Sequence, residues 1–248
     1  SYVPAHLDVI PLFTGYTSRT NEFTPANITK PANWTTDYTT ATAGLKYLAP
    51  SVSVTSDMNT TSLGDLSNSD ITIAAGNNLT IDGTTAAKSI TAAPGAKITM
   101  SSNYSLSTTN GITLQSDETG TATLVDNNTT DPQTVNATVK QYVTEGRNWY
   151  MSIPLAGVPA SALNKGTSVV MYDEPSGNWI APALNTLDKM RGYIQTATAA
   201  PLTGTTRKGE FSGILNNGAP SIEITRTAGK NGFKLLGNPY SSYLYLNM

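Results

Sequence analysis

The sequence predicts an all-β protein, a short parallel β-helix or solenoid followed by an antiparallel β-sandwich. Three observations carry this reading. Apolar residues alternate over short runs rich in β-branched side chains, and Gly, Pro or Asn interrupts them at intervals of roughly eight to twelve residues. A Thr-rich motif repeats in the middle of the chain. Aromatic residues gather in the last part, as a two-sheet core with bulky inward side chains requires. The chain of 248 residues divides accordingly into an N-terminal irregular or edge-strand segment, 1–62, Thr-rich β-helix coils, 63–130, and a β-sandwich module, 131–248.

The elements follow in order. "HLDVIPLF" alternates as a strand does, whereas the two prolines of "TPANITKPANW" make it a loop or an edge strand. "ITIAAGNNLTI" from Ile71 and "ITAAPGAKITM" from Ile90 match at Ile71/Ile90, Gly76/Gly95, Leu79/Ile98 and Ile81/Met100, at a constant offset of 19 residues. That length suits one coil of a solenoid, in which each unit completes its core only by stacking on the next. The apolar positions then face a shared interior, and Gly76 and Gly95 occupy corners that need positive φ. A looser third copy starts at Ile112, with Leu114, Leu124 and Val125 as its apolar positions. Turn formers from Asp126 to Thr134 mark the boundary.

Beyond it lie Tyr142, Trp149, Tyr150, Tyr172, Trp179, Tyr193, Phe211, Phe233 and Tyr240, expected mainly as core. "TSVVMYDEPSGNWIAP" reads as a hairpin from Val169–Tyr172 through Pro175-Ser176-Gly177 to Trp179-Ile180, and "FSGILNNGAPSIEIT" as another with Asn217-Gly218 at its bend. "VPASALNKG" and "ALNTLDKM" suit single helical turns. The chain ends on a strand, "SYLYLNM", launched by the turn Gly237-Asn238-Pro239-Tyr240, with no evident partner.

Composition excludes several functions. Charged residues make up only 13% of the chain, the net charge is -2, and the basic residues are scattered, so nucleic acid is not an expected partner. Without cysteine there are no disulfides and no thiolate chemistry. No apolar run approaches the roughly 20 residues that span a bilayer. The start lacks both an initiator Met and a basic leader, which suits a chain processed during export and equally a fragment excised from a longer one.

Few residues suggest chemistry. His6 is the sole histidine, read as an exposed residue, which argues against a Ser-His-Asp hydrolase or a His-based metal centre. The carboxylates of the coil region (Asp65, Asp70, Asp82, Asp117, Glu118 and Asp126) are separated by turns and do not form a polysaccharide-cleaving face. Asp117-Glu118, Asp173-Glu174 and the loop Asp126-Asn127-Asn128 with Asp131 offer oxygens to Ca²⁺ but lack the spacing of a recognised loop, so they read as turn caps. Trp149, Tyr150, Tyr172 and Trp179 are candidates for a sugar-stacking platform or for core. Asn-x-Ser/Thr triplets, such as those at Asn27, Asn33, Asn59, Asn78 and Asn103, follow from composition and imply no glycosylation. No catalytic, cofactor or metal residue is assigned, and no cofactor is expected.

One resemblance adds to this. Trp149, Tyr150, Ser152 and Pro154 in "NWYMSIPLAG", then Gly192 and Tyr193, then Gly213 and Leu215 to Gly218 in "FSGILNNG", then Gly237 to Tyr240 and Ser242 in "GNPYSS", occur in the order seen in secreted cell-surface proteins of the Bacteroidetes. The chain resembles those modules over residues 64 to 246, including β-helical stretches like "AAGNNLTI". Such proteins usually continue through further strands and a C-terminal sorting domain, which this sequence does not show. The resemblance implies export by the type IX route and an extracellular or cell-surface location. It also implies a non-catalytic, structural or adhesin-like role. The expected partners are other copies of the chain, in a filament built by strand exchange with "HLDVIPLF" as donor, or surface glycans; the alternative function is a carbohydrate-binding module.

Overall fold

The computed structural model describes residues 3–14, 33–38, 42–128, 134–143, 148–162, 168–182, 186–196 and 207–244. It is almost entirely β, a parallel β-solenoid of about four turns followed by antiparallel sheets. The first coil holds Ser51–Val54, Met58–Asn59 and a four-residue helix, Thr60–Leu63. The second holds Asp70–Ile73, Asn78–Ile81 and Thr85–Ala87. The third holds Ser89–Ala92, Lys97–Met100 and Leu106–Thr108, and the fourth Ile112–Leu114 and Thr123–Asp126. Coil one thus begins within the segment read from sequence as irregular.

The 19-residue offset is the register of the solenoid. Ile71 pairs with Ile90 on one face, and Leu79 with Ile98 and Ile81 with Met100 on the next. All six of these side chains are buried, so coil stacks on coil around one apolar interior. Gly76 and Gly95 take φ of 78° and 77° at the corners, where a side chain would be strained. The third copy departs from expectation at one place. Leu124 aligns with Ile98, but Val125 aligns with the outward Thr99, and Asp126 takes the inward register of Met100. A hairpin of Ser116–Asp117 and Gly120–Thr121 lengthens this coil and hides the match in the sequence.

Outward positions carry hydroxyls. Ser53, Thr72, Thr91, Thr113, Thr138 and Ser212 lie in register across six strands of the seven-stranded sheet, and neighbouring hydroxyls meet at 3.2 Å (Ser53–Thr72) and 3.0 Å (Thr138–Ser212). Thr and Ser suit such a surface because the branched or short side chain packs on the pleat while its oxygen stays wet.

The seven-stranded sheet runs on past the coils. Asn136–Val143 is parallel to Ile112–Leu114 and antiparallel to Arg207–Leu215, which in turn pairs with Leu155–Ala156. The second sheet of the sandwich orders its strands Trp149–Met151, Tyr193–Thr196, Ser168–Asp173 and Asn178–Ile180. Phe211, Tyr193, Ile153 and Leu155 join the same apolar cluster as the coil residues.

Three sequence readings need correction here. The hairpin at Ser168–Asp173 and Asn178–Ile180 is present, but "FSGILNNGAPSIEIT" is not a hairpin. Its first strand, Arg207–Leu215, already has neighbours on both sides, so "SIEIT" has no place in the sheet and leaves Ile224 exposed. Of the aromatics expected inside, only Tyr193 and Phe211 are fully buried, while Tyr150, Trp179 and Phe233 are exposed. Among the described residues Ser241–Leu244 forms no strand. The segment "TPANITK", Asn27, Asp131, Tyr245, Leu246 and parts of "ALNTLDKM" and "VPASALNKG" lie outside the described residues, although Ala160–Ala162 is a single 3-10 turn.

The N-terminal residues are better ordered than the sequence suggested. Val9–Thr14 pairs antiparallel with Thr42–Tyr47, and that strand with Trp34–Tyr38. His6 is half-buried, not exposed as expected: its Nδ1 accepts from the Ala49 amide at 3.0 Å, and its Nε2 faces the Leu63 carbonyl at 2.8 Å. That pair of contacts fixes the neutral tautomer with the proton on Nε2. His6 thereby ties the N-terminal sheet to the first coil, where Leu7 packs on Gly64.

Candidate functional site

Four segments meet where the C-terminal loop crosses the last coil. The loop is held locally by Asn238, whose Oδ1 accepts from the Tyr240 amide (3.0 Å) and whose Nδ2 donates to the Ser242 carbonyl (2.6 Å). The Tyr240 hydroxyl donates to the Gly218 carbonyl (2.8 Å), and Asn216 Nδ2 donates to the Ile153 carbonyl (3.1 Å). Gly237 lies so close to Arg191 that a Cβ would fall 2.4 Å from its carbonyl oxygen; at Gly213 a Cβ would fall 2.3 Å from that of Ala156. The residues of "WYMSIP", "GY", "GILNNG" and "GNPYSS" therefore interlock through backbone contacts.

This loop also answers the question of the unpaired end. The Leu124 amide donates to the Ser241 carbonyl (3.1 Å), and Ser241 Oγ donates to the Leu124 carbonyl (3.3 Å). Thr123–Asp126 is the outer strand of its four-stranded sheet, so Ser241 covers an otherwise open edge with a single residue.

Two cavities flank Ser241. One, of about 320 Å³, is lined by Asp126, Asn128, Asn216, Asn217 and the Tyr240–Leu244 segment. The other, of about 290 Å³, reaches Gln141, Ser152, Asn238 and the same segment. Burial pushes the Asp126 carboxyl up, against one hydrogen bond from the Asn128 amide. Gln141 follows the buried Ala137 and Val139 on the inward side of its strand, and its Oε1 is buried with no hydrogen-bond partner.

Most of the other candidate carboxylates are occupied, Asp70 and Asp82 by side chains of a neighbouring coil and Asp117 and Asp173 within their own turns. Asp70 accepts from Lys88 and Ser89, Asp82 from Thr60 and Thr61, Asp117 from Thr119, and Asp173 from Ser176. Glu174 diverges from its neighbour Asp173 and binds the Thr227 hydroxyl and amide, pinning the chain that follows Gly218. Among the described residues no three of His, Asp and Glu group as metal ligands do. Of the four aromatic candidates, Trp149 is half-buried against the core. Tyr150, Tyr172 and Trp179 share the outer face of the second sheet through the pairings Tyr150–Ile194, Ile194–Val170 and Tyr172–Trp179.

These bonds predict an acid limit. Glu174 is held below the usual carboxylate range first by the Thr227 hydroxyl, Asp70 by Lys88, Asp82 by Thr61, and Asp173 by Ser176. A carboxyl with a depressed folded value stabilises the fold above its unfolded value, and that contribution is lost as pH falls through the folded one. Asp126, raised by burial, acts with the opposite sign. Urea midpoints should stay level from about pH 7 to 5 and fall below about pH 4, with a shallower fall in Glu174→Gln.

Sequence comparison places the molecule. Residues 61–247 match the sequence model of DUF8693, a domain of unknown function. The chain belongs to this family. No curated protein and no solved structure matches it. The stretch assigned to DUF8693 includes coils two to four and all four interlocked segments. Of the two polar residues beside Ser241, both inside that stretch, Gln141 escaped the sequence reading and Asp126 was read only as a turn cap. The signal for each was a polar residue in an inward apolar series, legible only once the coil register is known.

Proposed function

We propose that the chain is a non-catalytic, exported surface protein with a structural or adhesive role, able to associate with its own copies. The observation that carries this reading is the apolar interior stacked coil upon coil and tied down at both ends by segments of the same chain. Such a ladder makes a stiff, protease-resistant body whose outer faces are free for contact. Asp70, Asp82, Asp117, Asp173 and Glu174 are spent on holding turns, neighbouring coils and the segment at Thr227. Export and surface location rest on the resemblance of the interlocked segments to cell-surface proteins of the Bacteroidetes. Antibody labelling of intact, unpermeabilised cells tests them; signal only after lysis would defeat that part. Turnover of a polysaccharide with a pH profile tracing to a carboxylate would defeat the non-catalytic part.

Self-association rests on Val9–Thr14. Among the described strands it has a partner on one edge only, and Val9, Ile10 and Leu12 are exposed, Leu12 at 54%. In strand exchange it would leave Thr42–Tyr47 and take that place in a neighbour. Light scattering should show particle size rising with concentration for the wild type and staying flat for Leu12→Lys. A wild type that stays monomeric over the same range would remove self-association from the proposal.

A second reading, saccharide binding, is favoured by the outward aromatics. Tyr150 is 70% exposed and Trp179 45%, with Tyr172 edge-on to Trp179 at 5.4 Å between ring centres. Glycan-array binding lost on Trp179→Ala would support it, and binding unchanged by that substitution would not.

A further inference from the structure

The two acceptors beside Ser241 break the pattern that builds the fold. Asp126 stands where the two preceding coils place Ile81 and Met100, and Gln141 continues an inward series of Ala137 and Val139. An apolar residue at either position would be easier to bury. Gln141 Oε1 has no partner, and among the described residues Asp126 makes no ion pair. A buried acceptor without a donor is an anomaly that a bound group commonly explains.

The geometry points to this cleft as a binding site for a neutral, hydroxyl-rich ligand, a single or terminal sugar residue, with Asp126 and Gln141 as acceptors and the Tyr243 ring at the mouth. The two cavities share Tyr240, Ser241, Ser242 and Tyr243, so they are lobes of one cleft divided by the Ser241 bridge. Among the described residues Asp126 is the only formally charged one in either lining. The lining therefore asks for donors without strong charge. A Ca²⁺ ion would need six to eight oxygens and more than one carboxylate, and the described residues of this lining supply one carboxylate. A sugar brings several hydroxyl donors on a ring with an apolar face, and Tyr243, 91% exposed, offers a ring to stack on it.

The inference deepens the adhesive part of the function proposed above and takes its biological setting from it, but it is tested on the purified chain alone. Methyl glycosides of glucose, galactose, mannose and N-acetylglucosamine are titrated into the full chain by saturation-transfer NMR and calorimetry, alongside Ca²⁺ and an extended peptide. At least one glycoside should bind. Tyr243→Ala should weaken it about tenfold, and Asp126→Met and Gln141→Met should abolish it while raising the melting temperature, since each restores the apolar pattern. A loss of binding that accompanies a gain in stability cannot be misfolding. Glu223→Gln, exposed and outside both linings, should leave binding unchanged. Absence of glycoside binding up to the solubility limit overturns the inference. So does binding that survives all three cleft substitutions, or saturable binding of Ca²⁺ or the peptide alone. None of these results bears on surface location or self-association.

Discussion

Gly237→Ala is expected to destabilise the protein by about 3 kcal/mol, although it adds one methyl group. The new Cβ would meet the Arg191 carbonyl oxygen at 2.4 Å, its carbon at 2.8 Å and Ser152 Cβ at 2.8 Å. Two of these three atoms are backbone, so no rotamer change can make room. Relief requires the segment ending at Gly237 to separate from Arg191, which breaks the hydrogen bond from the Gly237 amide to the Met190 carbonyl (2.9 Å) and loosens the loop that covers Leu124. Urea unfolding should show the loss in the midpoint, and limited proteolysis should cut first in residues 238–244. A loss under about 0.5 kcal/mol would show that the seam yields, contrary to the packing described.

Ile98→Ala is expected to cost a similar amount, about 3 kcal/mol, for a different reason. Ile98 is wholly buried between Leu79 of the coil before and Leu124 of the coil after, so truncation leaves a void that neither rigid neighbour can fill. Thr91→Ala, on the outward row, should stay within about 0.5 kcal/mol. The contrast is the measurement that matters. Equal losses at Ile98 and Thr91 would contradict the inward and outward assignment on which the solenoid rests.

The solenoid was legible because stacking repeats a local pattern. Ile71 and Ile90, or Leu79 and Ile98, had to match for each coil to bury its face, so the sequence carries the register openly. The sandwich was legible as a class but less so in detail. Asn217-Gly218 looks like a hairpin bend, and Gly218 does adopt positive φ. Whether a return strand forms depends on a vacancy beside Arg207–Leu215, and Leu155–Ala156, distant in the chain, fills it. The aromatic residues misled for a similar reason. Alternation shows that Tyr150 and Met151 face opposite ways, but not which face of a sheet meets the core. His6 appeared idle because its partners, Ala49 and Leu63, are backbone groups that carry no mark in the side-chain sequence.

The row from Ser53 to Ser212 has a consequence for how such a molecule can change size. Its spacing is inherited from the main-chain ladder, about 4.8 Å per rung, and owes nothing to the particular side chains on either side. Gaining or losing a coil therefore alters the number of hydroxyls presented, and so the valency of the surface, while the pitch and both closures stay as they were. The length of the row is thus set by the number of coils alone, without redesigning a single contact.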